Sequence, residues 1–154
     1  MKHYEEAKAA PPSDDSEVQP YTDVFDWTSV SNEEKSTLER IGMASIAAGE
    51  VAAVIMSGGQ GTRLGFDGPK GMYDIGLPSH KSIFQIHIER IAKVRQLASH
   101  AMKTALPRVA VYIMTSDLND ADIKTYFTTH DYFGYPSEDI YFFQQGLEPC
   151  LTLD

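Results

Sequence analysis

The chain has 154 residues, 42% of them apolar, which is enough for one domain with a buried core and is not the composition of a disordered protein. A formal charge of −9 argues against a nucleic-acid partner, because such binding rests on clustered Lys and Arg. The longest apolar run, Val51–Met56, falls well short of the roughly 18 residues that cross a bilayer, so no membrane partner is expected. The polar, acidic start lacks the basic and apolar parts of a secretory signal, and the one cysteine, Cys150, has no internal disulfide partner; a cytoplasmic location is the expectation.

Residues 1–20, with Pro11, Pro12 and a run of Ser and Asp, read as a disordered acidic tail. Residues 21–49 read as a helical leader: Ser31-Asn-Glu-Glu34 resembles a capping box opening a helix through Ile41, with Gly42 near its end. From residue 50 the pattern becomes α/β. Val51–Met56 is a continuous apolar run between Gly49 and Gly58, the signature of a parallel strand covered on both faces. After a glycine-rich loop, Ile83, Ile86, Ile91, Val94 and Leu97 recur at helical spacing, with Glu89, Lys93 and Arg95 off that stripe and Ser82 with Gln85 as a second capping pattern. A strand over Arg108–Met114, a helix over Asn119–His130 and a strand over Ile140–Phe143 complete the order β-loop-α-β-α-β. Such an order predicts a doubly wound, mostly parallel sheet with ligands at the carboxyl ends of its strands. Three strands are few for that sheet, and Leu151–Asp154 falls in what reads as further structure, so a fold incomplete at the carboxyl terminus is expected.

The loop Ser57-Gly-Gly-Gln-Gly-Thr-Arg-Leu-Gly65, followed by Pro69-Lys70, carries the chemistry. Adjacent glycines let backbone N–H groups converge on phosphate oxygens without an intervening side chain. Arg63 can fork two hydrogen bonds onto a phosphate, and Lys70 acts as a point charge. Charge follows the same division: residues 1–50 carry four cations against eleven acids, whereas residues 57–81 carry three against two. Neither common phosphate loop fits. A Walker loop needs Gly-Lys followed by Ser or Thr, but Lys70 stands between Pro69 and Gly71; a dinucleotide fingerprint needs a glycine where Leu64 stands. The five histidines show no pairing in the sequence, and Asp74 and Asp117, near the loop and a strand end, are assigned to no metal.

The Gly-Gly-x-Gly-Thr-Arg-Leu pattern with a following Pro-Lys pair resembles the sugar nucleotidyltransferases. Within them, Gly58–Gly65, Pro69–Pro78 and Lys81–Gln85, with Tyr112–Ser116 and Phe142–Gly146, look like the eukaryotic-type UDP-N-acetylhexosamine pyrophosphorylases. Ser57 departs from the alanine usual in that family. The resemblance implies a Rossmann-like nucleotide-diphospho-sugar transferase fold, of which residues 50–154 would form the first part of the UTP-binding domain. It implies attack by N-acetylglucosamine 1-phosphate on UTP, releasing pyrophosphate, with Mg²⁺ bound through the UTP phosphates and its protein ligand outside this chain. Carried over by position, Met56, Ser57, Gly58 and Gly59 line the nucleotide site. Gln60, Gly61 and Thr62 continue the loop, Lys70 meets the phosphates, Arg63 neutralises charge at the α-phosphate, and Gln145, followed by Gly146, reads the uracil. Arg63 and Lys70 are the expected catalytic residues. The segments that hold the sugar in that family are not in the sequence, so 154 residues are not expected to turn over alone. A noncatalytic nucleotide-binding module, or the same chemistry on another sugar 1-phosphate, are the alternative expectations.

Overall fold

A computed structural model describes residues 18–146. Most of the expected tail, residues 1–17, and Cys150 with Leu151–Asp154 lie outside the described residues. The chain divides between Asn32 and Glu33 into two compact units. In the first, Asp26 accepts the N–H and hydroxyl of Thr28 at 2.8 and 2.7 Å, fixing a short turn.

Helix α1, Asn32–Ala47, lies in the second unit from Glu33 onward. This helix runs through Gly42, where it was expected to end, because Gly42 keeps a right-handed φ and merely lacks a side chain. The stop is Gly49. Its φ of 75° is the left-handed value glycine adopts without strain, and its N–H reaches the Ile46 carbonyl while that of Glu50 reaches Ser45, each at 3.0 Å. These two bonds form a Schellman motif that satisfies carbonyls at the end of the helix.

Strands β1 (Ala52–Met56), β2 (Ala110–Thr115) and β3 (Ile140–Gln144) pair in parallel in the order β1-β2-β3. Helix α2 (Ile83–Met102) joins the first two, and α3 (Asp120–Thr129) the last two. Progress in one direction with right-handed crossovers puts both helices on one face. Phe84 and Ile88 of α2 and Ile123 and Phe127 of α3 therefore meet Val111, Ile113 and Ile140 in one buried core. The opposite face carries Val54, Tyr112 and Tyr141 in register, then Met56, Met114 and Phe143. Of these Val54 is 63% and Met56 81% exposed, so β1 is not covered on both faces as its unbroken apolar run suggested. With β3 it is one of the sheet's two edge strands among the described residues.

The buried line of α2 is also displaced from the expected stripe. It consists of Phe84, Ile88, Arg95 and Ala98, while Val94 and Leu97 stay exposed. Val94 instead joins Ile91, Ile46, Val51 and Val54 around a groove of about 510 Å³ beside β1. Arg95, expected on the solvent side, is buried because its charge has partners: Nε donates to the Pro107 carbonyl at 2.8 Å and the guanidinium lies 4.7 Å from the Tyr135 ring centre. The Ser82 cap is as expected, its hydroxyl accepting the Gln85 N–H at 3.2 Å, but the Gln85 side chain turns forward to Glu89 at 2.9 Å.

Candidate active site

The carboxyl ends of the three strands meet in a small set of hydrogen bonds. Ser57 follows β1, and its N–H donates to the Met114 carbonyl at 2.9 Å. Its hydroxyl donates to the same carbonyl at 2.7 Å, which is how a buried side chain that departs from alanine is accommodated. Gln145 follows β3 and donates its N–H to the Thr115 carbonyl at 2.9 Å. Thr115 in turn donates its hydroxyl to Asp120 at 2.7 Å.

Beyond Ser57 the glycine loop closes on itself. Gln60 and Pro69 form an antiparallel bridge, with the Gly61 N–H on the Gly68 carbonyl at 2.8 Å and the Lys70 N–H on the Gly59 carbonyl at 3.2 Å. Lys70 is eleven residues from Gly59 in sequence and adjacent to it in the fold. The ring also sorts the amides. Those of Ser57, Gly61 and Lys70 are committed internally, whereas the N–H groups of Gly58 and Gly59 have no internal acceptor among the described residues. Gly61 is buried and would set a Cβ 2.8 Å from the Phe66 ring, so it closes the ring and offers no open surface.

Met56, Ser57, Gly59 and Lys70 line one cavity of about 330 Å³, together with Phe84 and His87 from α2. Gly58 faces Gln145: a Cβ at position 58 would lie 2.6 Å from Gln145 Oε1, so only glycine lets that amide rest against the loop. Arg63 sits on the single turn Thr62–Leu64, ended by Gly65 at φ 67°, and is exposed outside that cavity, as are Gln60 and Thr62. Gly146 is exposed directly after Gln145.

Asn119 is a residue that sequence reasoning missed. It is fully buried, accepts the Ser116 N–H on Oδ1 at 2.8 Å and donates from Nδ2 to the Ser57 carbonyl at 3.1 Å. An Asn at the start of a helix reads as a cap, and this one makes no side-chain cap bond to α3. Asp74 has a local role as well. It accepts the Gly76 N–H at 2.8 Å and lies 3.0 Å from His80, pairing a histidine expected to be alone. The Gly76 bond first, then His80, holds its carboxyl below the ordinary value. Among the described residues no three His, Cys, Asp or Glu groups converge, so the residues present do not build a metal cage. No helix among them is long and apolar enough to cross a membrane.

The sequence matches the family model of UTP--glucose-1-phosphate uridylyltransferase over residues 2–154. The chain belongs to that family. Its relatives among these uridylyltransferases include UDP-N-acetylglucosamine diphosphorylase 2 of Arabidopsis thaliana, 45% identical over 128 residues that make up 80% of this chain and 26% of the relative. UDP-N-acetylglucosamine pyrophosphorylase of Saccharomyces cerevisiae is 46% identical over 74% of this chain and 23% of its own length. The crystal structure of the uridine diphosphate N-acetylglucosamine pyrophosphorylase of Trypanosoma brucei superposes with a TM-score of 0.75 at 38% identity, over 78% of this chain and 23% of that one. The chain thus spans about a quarter of the uridylyltransferase-family proteins it matches.

Proposed function

We propose that this chain supplies the UTP-binding part of a uridylyltransferase that makes UDP-N-acetylglucosamine and pyrophosphate from UTP and N-acetylglucosamine 1-phosphate. The observation that carries the reading is the closed glycine loop at the end of β1, with Lys70 brought beside Gly59 and the Gln145 amide against Gly58. The names of the relatives supply the substrates. The Gly58 and Gly59 amides and Lys70 hold the phosphates, with Met56, Ser57, Gln60, Gly61 and Thr62 shaping the loop around them. Gln145 offers the uracil imide edge both a donor and an acceptor, and Gly146 lets the chain pass close to the base. A phosphate oxygen of the sugar forms a bond to the α-phosphorus as the α–β bond breaks, and the electron pair leaves with pyrophosphate. No protein nucleophile is required; Arg63 and Lys70 oppose the charge that develops. Mg²⁺ fits this scheme only as an ion carried by the UTP phosphates with a protein ligand outside this chain, and the chain's own contribution lies in its amides and cations. The acidic charge suits no nucleic acid, and the lone cysteine suits the cytoplasm.

In the full-length protein carrying this chain, Arg63→Ala and Lys70→Ala are each expected to lower pyrophosphate release by roughly 10²- to 10³-fold, as for loss of one transition-state donor. Near-normal turnover in both variants overturns the assignment. N-acetylglucosamine 1-phosphate, N-acetylgalactosamine 1-phosphate and glucose 1-phosphate in competition identify the sugar.

A further inference from the structure

Ser57 and Gly58 share a peptide bond, and that peptide lies at the base of the loop. A trans peptide is planar, so its carbonyl oxygen and its N–H point to opposite sides. Whatever holds the Ser57 carbonyl therefore aims the Gly58 N–H. Asn119 holds it, donating from Nδ2 at 3.1 Å while Oδ1 accepts the Ser116 N–H at 2.8 Å. The opposite amide orientation would set two donors at Ser116 and two acceptors at Ser57, so the hydrogen bonds fix which way Asn119 faces. The site is dry: Asn119 is fully buried, and Ser116 and Ser57 are nearly so. Gly58, having no Cβ, leaves its own φ free to rotate, and this peptide would otherwise flip at little cost.

We infer that Asn119 is a positioning residue that locks the Ser57–Gly58 peptide with its N–H turned away from α3, toward the nucleotide. The inference rests on the proposal that the loop holds UTP, but the orientation of the peptide can be read independently. In Asn119→Asp the side chain keeps its size and its acceptor for Ser116; a protonated carboxyl, which burial favours, still donates to the Ser57 carbonyl, whereas an ionised one sets an oxygen against it and favours the flipped peptide, so the variant is read above the titration of that carboxyl. Asn119→Ala removes both bonds. In the full-length protein the Gly58 amide is followed by hydrogen exchange and its NMR shift, and steady-state kinetics are measured with each substrate varied.

The expected result is a displaced Gly58 resonance in both variants, with slower exchange in Asn119→Asp, where the flipped Gly58 N–H is turned into the buried side against the introduced carboxylate, and with amides in the middle of β2 unchanged. The KM for UTP is expected to rise at least about tenfold, the scale of one lost buried hydrogen bond, while that for the sugar phosphate is unchanged. Should Asn119→Ala fail to fold, Asn119→Asp carries the test. An unmoved Gly58 amide in Asn119→Asp above the titration of the introduced carboxyl overturns the inference, as does a loss shared equally by both substrates. If the wild type binds no UTP, the functional reading fails, and the Gly58 amide still decides whether Asn119 sets the peptide.

Discussion

Gly58 and Gly71 both refuse a side chain, and the consequences differ because their neighbours differ. A Cβ at Gly71 would fall 2.3 Å from the ring of Phe84, which is buried between α2 and the sheet and cannot retreat. Gly71→Ala is expected to cost about 2–3 kcal/mol as an overpacked core, read from urea unfolding. A Cβ at Gly58 meets only the end of the exposed Gln145 side chain. Gly58→Ala is therefore expected to leave the unfolding midpoint unchanged and to weaken UTP binding about tenfold by displacing that amide, as calorimetry would show. The loop was legible in the sequence because adjacent glycines with Arg63 and Lys70 have few other uses. Asn119 was not legible, since the carbonyl it holds lies 62 residues away. The His80–Asp74 pair spans only six residues but depends on the turn at Gly76, which no spacing rule reveals.

Element existence and order followed from apolar patterning, whereas boundaries and faces depended on partners. Gly42 and Gly49 are both glycines near the end of an apolar helical stretch, and only the backbone distinguishes them. At Gly42 the helix is regular and a Cβ meets open space, so Gly42→Ala is expected to raise α1 stability by about 1 kcal/mol. At Gly49 the left-handed φ makes the same change unfavourable by about 1 kcal/mol. Helix content and amide exchange along α1 should move in opposite directions in the two variants. The face of α2 misled for a related reason. The helix carries two apolar lines, one on the core and one on the groove beside β1, and Arg95 joins the first because the Pro107 carbonyl and the Tyr135 ring receive it.

Across the whole chain the acidic excess is balanced locally by a few cations. Lys81 lies 2.6 Å from Glu89 and, as the largest influence, holds its carboxyl below the ordinary 4.5; Lys124 first and Thr115 second do the same for Asp120 against 3.8. Each folded value lies below the unfolded one, so the stabilisation is complete above the ordinary value and is lost as pH falls through the lowered one. Stability is expected to be flat in these two groups above about pH 5 and to decline in acid, with a shallower decline in Glu89→Gln, as unfolding midpoints across pH would show. The unbroken apolar run of β1 promised two covered faces, but covering depends on elements that a strand's own residues do not specify, and both crossovers lie on the same side. The strand order β1-β2-β3 is also the order of manufacture. A ribosome delivers β2 to a β1 already made and β3 to a finished pair, so among the described residues no strand waits for one still untranslated, and the glycine loop acquires its neighbour Gln145 as the last of these three emerges.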